Sequence, residues 1–177
     1  MKPMASLLRR LRLLAMTGLL SGLSIFAVSC NTNAFEAPLS RVPDFTLPVL
    51  RGEGPVAFSE VNKDSPVLIV FWASWCPNCI DEIPELNEIQ KKFSPQGLKI
   101  FAVNVEESKE EILEFQKTHR MDYPVLLDGK GETAEKFGLA GIPAAVLAQK
   151  GGKVLYFGFS LPANLEKLFQ TKEKGKA

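Results

Sequence analysis

From residue 43 onward, short apolar runs alternate with stretches whose apolar positions fall three or four residues apart. "PVLIVFW" (66–72) is continuously apolar and of strand length, which predicts a central strand buried on both faces. Ile80, Ile83, Leu86, Ile89 and Phe93 recur at helical spacing, so 79–93 predicts a helix with one apolar face. "LKIFAVNV" (98–105) is the next strand. Ser108 and Glu111 form an S-x-x-E capping box, and the helix it opens is expected to run to about His119. "PVLL" (124–127) predicts a strand, and "ETAEKFG" a short helix stopped by Gly138. "AAVLAQ" and "KVLYFGF" flank "KGG" as an antiparallel hairpin. "LPANLEKLFQ" closes as a helix with Pro162 near its first turn. At the front, "FTLPVL" and "VAFSEV" flank "RGEG" as another hairpin or paired turn. Strands alternating with helices, then a hairpin and a final helix, predict an α/β layer fold with a mixed sheet.

The first 42 residues follow a different pattern. Lys2, Arg9, Arg10 and Arg12 precede an apolar run from Leu13 to Val28. The run is shorter than the ~20 residues that span a bilayer as a helix, and it reads as the core of an export signal. It ends in "AVSC", which resembles a bacterial lipobox, so Cys30 is the expected lipidation site and the first mature residue. An uncleaved anchor, or plain cleavage near Ser29, is the alternative. "NTNAFEAPLSRV" (31–42) reads as a tether of roughly 40 Å when extended. The expected organisation is a lipoprotein-type signal over 1–29, a lipidated Cys30 and tether to 42, one domain over 43–171, and a charged tail over 172–177. The protein is then exported and held at a membrane by its lipid.

Composition agrees with one globular domain: 46% of residues are hydrophobic and 23% charged. Four of the 21 basic residues fall in the first 30, which hold no acid, so the remainder is mildly acidic. That balance gives no reason to expect a nucleic-acid partner.

The chemistry sits in "FWASWCPNCIDEIP" (71–84). Two cysteines with two residues between them serve haem attachment, a metal, or disulfide exchange. Haem attachment needs a histidine after the second cysteine, and residue 80 is Ile. A structural zinc site needs four ligands, and the chain offers one such pair and one histidine, His119. A Cu(I) site stays open on ligand softness. Disulfide exchange suits the surroundings best. The pair follows a buried strand and opens a helix, where backbone N–H groups favour a thiolate. Cys76, at the helix tip, is expected to be the exposed attacking sulfur, and Cys79, one turn on, to resolve the mixed disulfide. Pro77 fits the first turn. A purely structural bridge closing so small a loop would constrain the unfolded chain little. Pro84 lies inside the predicted helix and is expected to kink it.

"VLIVFWASWCPNC", with Glu82, Ile83 and Pro84 after it, resembles the active-site segment of the TlpA/ResA-like branch of thioredoxin-fold proteins. "VPDFTLPVL" is similar to that branch's N-terminal extension, and "GIPAA" to its cis-proline loop. The resemblance covers about residues 42–170. It implies a thioredoxin-like mixed sheet flanked by helices, with an N-terminal β extension and an inserted strand–helix segment. Where thioredoxins place a buried Asp, six residues before the first cysteine, this chain has Val70. The resemblance makes Glu82 the third catalytic candidate: if partly buried, its pKa is raised and it takes the proton of Cys79. Pro143 is expected to be cis and to pack on the cysteine pair, with the Ile142 backbone pairing with a bound substrate. The family often has Thr after this proline; here stand Ala144 and Ala145, so a hydroxyl contact to substrate is not expected. Trp72 is expected in the core. Trp75, with Pro77 and Asn78, is expected on the rim that partner proteins touch.

The leading expectation is therefore a thiol–disulfide oxidoreductase that reduces disulfides of exported proteins, apocytochrome c among them. It uses no cofactor beyond the redox-active pair and is recharged by a membrane thiol donor of the CcdA/DsbD type. Two alternatives stand beside it. "PDFTL" also opens peroxiredoxins, which share the core fold, although their peroxidatic cysteine lacks a partner three residues on. A copper chaperone resembling the Sco proteins would need C-x-x-x-C and a distant histidine.

Overall fold

A computed structural model describes residues 39–170. The export signal, Cys30, most of the tether and the charged tail lie outside the described residues. The elements are β1 (Thr46–Pro48), β2 (Pro55–Ala57), α1 (Phe58–Asp64), β3 (Val67–Trp72), α2 (Pro77–Asp81), α3 (Ile83–Phe93), a 3-10 turn (Ser94–Gln96), β4 (Lys99–Val105), α4 (Lys109–Phe115), β5 (Val125–Asp128), α5 (Glu132–Lys136), β6 (Ala144–Ala148), β7 (Val154–Gly158) and α6 (Leu165–Gln170).

β3 is the axis. All six of its residues are buried, and side chains alternate between faces along a strand. Leu68, Val70 and Trp72 enter one core with Leu86, Ile89 and Phe93 of α3. Val67, Ile69 and Phe71 enter the other with Phe45, Phe58 and Phe137. The sheet order is β5-β4-β3-β6-β7. β3, β4 and β5 run parallel, whereas β6 and β7 run antiparallel to their neighbours. This is the α/β mixed sheet flanked by helices that the pattern predicts. The β1–β2 hairpin forms a separate two-stranded sheet, and it is tied to the β5 edge by Leu50 N–H donating to the Val125 carbonyl at 2.8 Å.

Four local readings change. The segment 56–61 is not all strand: the helix begins at Phe58 because Asp44 Oδ1 accepts from the Ser59 N–H at 3.0 Å, a cap from a residue 15 positions earlier. The helix opened by the Ser108–Glu111 box, which is present with both of its bonds, ends at Phe115 rather than His119. There the Phe115 carbonyl is taken by the Thr118 and His119 N–H groups and the Thr118 hydroxyl, and local bonds of this kind compete with helix propagation. The last helix starts at Leu165, three residues past Pro162, because Leu161 is held elsewhere, by Glu82. Ser40 to Val42, read as tether, pair with the β6–β7 hairpin: Val42 N–H donates to Gly152 O at 2.9 Å and Val154 N–H to Ser40 O at 3.1 Å. Among the described residues no helix is long and apolar enough to cross a membrane.

Candidate active site

β3 delivers the chain to the site. Beyond Trp72, the segment Ala73–Trp75 turns, and Cys76 becomes the N-cap of α2. Cys76 and Cys79 form a disulfide with their Cα atoms 5.3 Å apart. The Cys79 N–H donates to Cys76 Sγ at 3.3 Å, so the first turn already offers a donor to the sulfur that would carry the negative charge. Pro77 stands at the start of α2, where no N–H is required. The expectation of an exposed Cys76 needs correcting: in this disulfide form Cys76 is 5% and Cys79 4% exposed. Both cysteines belong to the apolar cluster of the α3 face. What stands in solvent is the flank, with Trp75 at 66% and Pro77 and Asn78 also exposed.

Two further elements converge there. β6 runs antiparallel beside β3 with Ala144 opposite Phe71. The residue before it, Pro143, therefore lies at the end of β3 from which the cysteines emerge. The Ile142–Pro143 bond is cis, as the resemblance implies, and Pro143 is buried while Ile142 is half-buried. The predicted helix over 79–93 is divided at Glu82: α2 ends at Asp81 and α3 begins at Ile83, with Pro84 in its first turn. Pro84 has no N–H to continue the ladder, so the kink becomes a break.

Glu82 sits in that break. Its Oε1 accepts from the Leu161 N–H at 3.2 Å, while Oε2 has no protein partner and is buried. Burial raises its pKa above the ordinary 4.5; the Leu161 bond works the other way, and nearby Glu85 adds to the rise. Glu82 lines a cavity of about 10 Å³ together with Val70, Trp72, Cys79 and Tyr123, room for about one water. The carboxyl thus reaches, from the helix side, the space that Val70 on β3 leaves apolar. The Tyr123 hydroxyl has its pKa raised by burial first, then by Asp122 and Glu82. Trp72 is 3% exposed, and its Nε1 is a second buried atom without a protein partner.

One residue of the site was not singled out by the sequence. Glu107, 9% exposed, accepts from the Ser74 N–H at 2.7 Å, from the Ser74 hydroxyl, and from Asn104 Nδ2 at 2.6 Å. It clamps the turn two residues before Cys76 to the end of β4. The available signal was Asn104, a polar residue in an otherwise apolar strand, which must find partners once buried. His119, by contrast, stacks its ring on Phe115 at 4.0 Å. Among the described residues no group of three or more His, Cys, Asp or Glu side chains is placed to hold a metal ion.

The AhpC/TSA family model matches residues 38–157. The thiol-disulfide oxidoreductase ResA of Geobacillus thermodenitrificans is 31% identical over 133 residues, 75% of each chain. ResA of Bacillus subtilis is 33% identical over 116 residues, 66% of this chain and 64% of the relative. The crystal structure of a protein from Chlorobium tepidum, described as a thiol:disulfide interchange protein DsbE, superposes with a TM-score of 0.67 at 32% identity, over 75% of this chain and 94% of the other. A paired-cysteine turn on a thioredoxin-like sheet, matched in sequence over three quarters of a ResA and in shape by the Chlorobium protein, settles the placement: this chain belongs to the AhpC/TSA family and is a ResA-like thiol–disulfide oxidoreductase.

Proposed function

We propose that the protein works outside the cytoplasm, anchored through a lipidated Cys30, and reduces disulfides in exported proteins, apocytochrome c among them. The observation that carries the reading is the position of Cys76: it caps α2, accepts the Cys79 N–H, and follows the end of β3 at which β6 and its cis Pro143 begin. In the reduced protein the Cys76 thiolate attacks one sulfur of the client's disulfide, and the other client sulfur leaves as a thiolate. Glu82, which lines a cavity with Cys79, takes the Cys79 proton. The Cys79 thiolate then attacks Cys76 Sγ, which frees the client with both thiols and restores the Cys76–Cys79 disulfide. Two electrons pass to the client, so the reading calls for no further cofactor. A membrane thiol donor of the CcdA/DsbD type returns them. Exposed Trp75, Pro77 and Asn78 meet the client's surface, and the Ile142 backbone pairs with its chain.

Two measurements test this. In Cys79→Ala the mixed disulfide cannot be resolved, so exported clients are expected to stay covalently attached to Cys76. Equilibration with glutathione gives the direction: a reductant is expected near thioredoxin, about −270 mV, and a potential near about −120 mV overturns the reducing role. The AhpC/TSA match supports a second reading, a peroxidase using Cys76. Rapid peroxide turnover without disulfide-reductase activity would favour it.

A further inference from the structure

An open groove of about 550 Å³ lies at the active-site end of the sheet. Trp75, next in sequence to Cys76, and Ile142, next to cis Pro143, both line it. A client segment flanking the attacked sulfur reaches it without leaving the active-site end of the sheet.

The charge in this groove is of one sign. Its charged lining residues are Glu106 and Glu135; no Lys or Arg lines it. Both are exposed, and among the described residues neither makes an ion pair. Lys130, close in sequence, is instead paired with Glu132 at 3.8 Å. Glu106 is also the one described non-glycine residue with positive φ, at 61°. Its side chain lies over Gly131, where a Cβ would fall 2.8 Å from Oε1, so the bare glycine makes room for a carboxylate at the groove. The apolar lining, Leu139 and the Trp75 ring, suits the methylenes and charged head of a long basic side chain.

We propose that this groove selects clients by charge: it receives a lysine or arginine side chain from the segment flanking the client's disulfide. The proposal rests on thiol–disulfide exchange at Cys76 and Cys79. A cationic segment meets two unpaired carboxylates, whereas an acidic one meets like charge, and such complementarity acts on encounter and on the choice of partner.

The test uses two peptides with the same internal disulfide, one flanked by lysines and one by glutamates, each mixed with the reduced protein at low salt. Loss of protein thiols gives the rate. The lysine peptide is expected to react about tenfold faster, with the ratio shrinking in high salt. Glu106→Gln/Glu135→Gln is expected to bring the ratio down to roughly threefold or less. Glu53→Gln/Glu60→Gln, which removes the same charge outside the groove, is expected to keep it. Glu106→Gly, whose backbone accepts a φ of 61° freely, carries the same test if the double variant does not fold. Equal rates in the wild type, a ratio kept by the groove variants, or an equal loss in the Glu53/Glu60 pair overturns the inference alone. Exchange with neither peptide overturns the thiol–disulfide reading and this inference with it.

Discussion

Replacing Glu107 with alanine removes three hydrogen bonds to a carboxylate in one step. Bonds to charged groups are each worth about 1.5–3 kcal/mol. Ser74 is only half-buried, so its two donors recover part of that from water. Asn104 is fully buried at 0% exposure and cannot. Its Oδ1 already lacks a protein partner, so losing Glu107 strands the whole amide. The expected cost is about 3–5 kcal/mol, a fall in Tm of roughly 10–20 °C for a domain of this size. Glu107→Gln behaves differently. Its carbonyl can accept from the Ser74 N–H and from Asn104, while its NH₂ donates to the Ser74 hydroxyl, which rotates to accept. Only the charge assistance is lost, about 1–2 kcal/mol. Urea unfolding of the three proteins, all oxidised so that the disulfide constrains each unfolded chain alike, measures both costs. An alanine variant no less stable than the glutamine variant would refute the clamp.

Three other outcomes are expected. Burial keeps the Glu82 carboxyl protonated to higher pH in the folded chain than in the unfolded one, so the native state binds more protons above the ordinary value and stability falls as pH rises through that interval. Glu82→Gln should lack this fall, and parallel stabilities of the two proteins in urea at about pH 4 and about pH 7 would contradict the shift. Glu106→Gly relieves a left-handed backbone cost of about 1–2 kcal/mol against a glycine entropy cost of about 0.5–1 kcal/mol; a Tm raised by a few degrees in calorimetry is expected, and a lower one counts against strain at that position. Asp128, 3% exposed, accepts from the Thr133 N–H at 3.1 Å and the Ala134 N–H at 2.8 Å at the start of α5. Asp128→Ala should cost about 2 kcal/mol in urea unfolding, and a cost below about 0.5 kcal/mol would show that water replaces the cap.

The elements that could be read in advance are those whose cause is local. A continuous apolar run of strand length is buried on both faces wherever it lies, and β3 is. The Ser108–Glu111 box satisfies its own N–H groups within four residues. Gly138 ends α5 with a φ of 64° that a glycine takes at little cost. The cysteine pair was legible for the same reason, because two residues of helix place two sulfurs within reach of each other. Two misread starts have remote causes: the start of α1 is held by Asp44, and the segment before α6 by Glu82; the early end of α4 is local, but it turns on which of several nearby donors takes the Phe115 carbonyl.

By itself, then, the chain's order of residues determined the alternation of strands and helices, the identity of the reacting sulfurs, and a disturbance of the helix at Pro84, all of which follow from bonding and sterics between near neighbours. Only the tertiary structure decided that the oxidised sulfurs are sheltered, that Glu82 shares a cavity with Cys79, that Glu107 holds the turn before Cys76, and that Glu106 after β4 and Glu135 of α5 line one groove. Burial, desolvation and charge clustering depend on which distant segments the sheet brings together, and no local pattern encodes them.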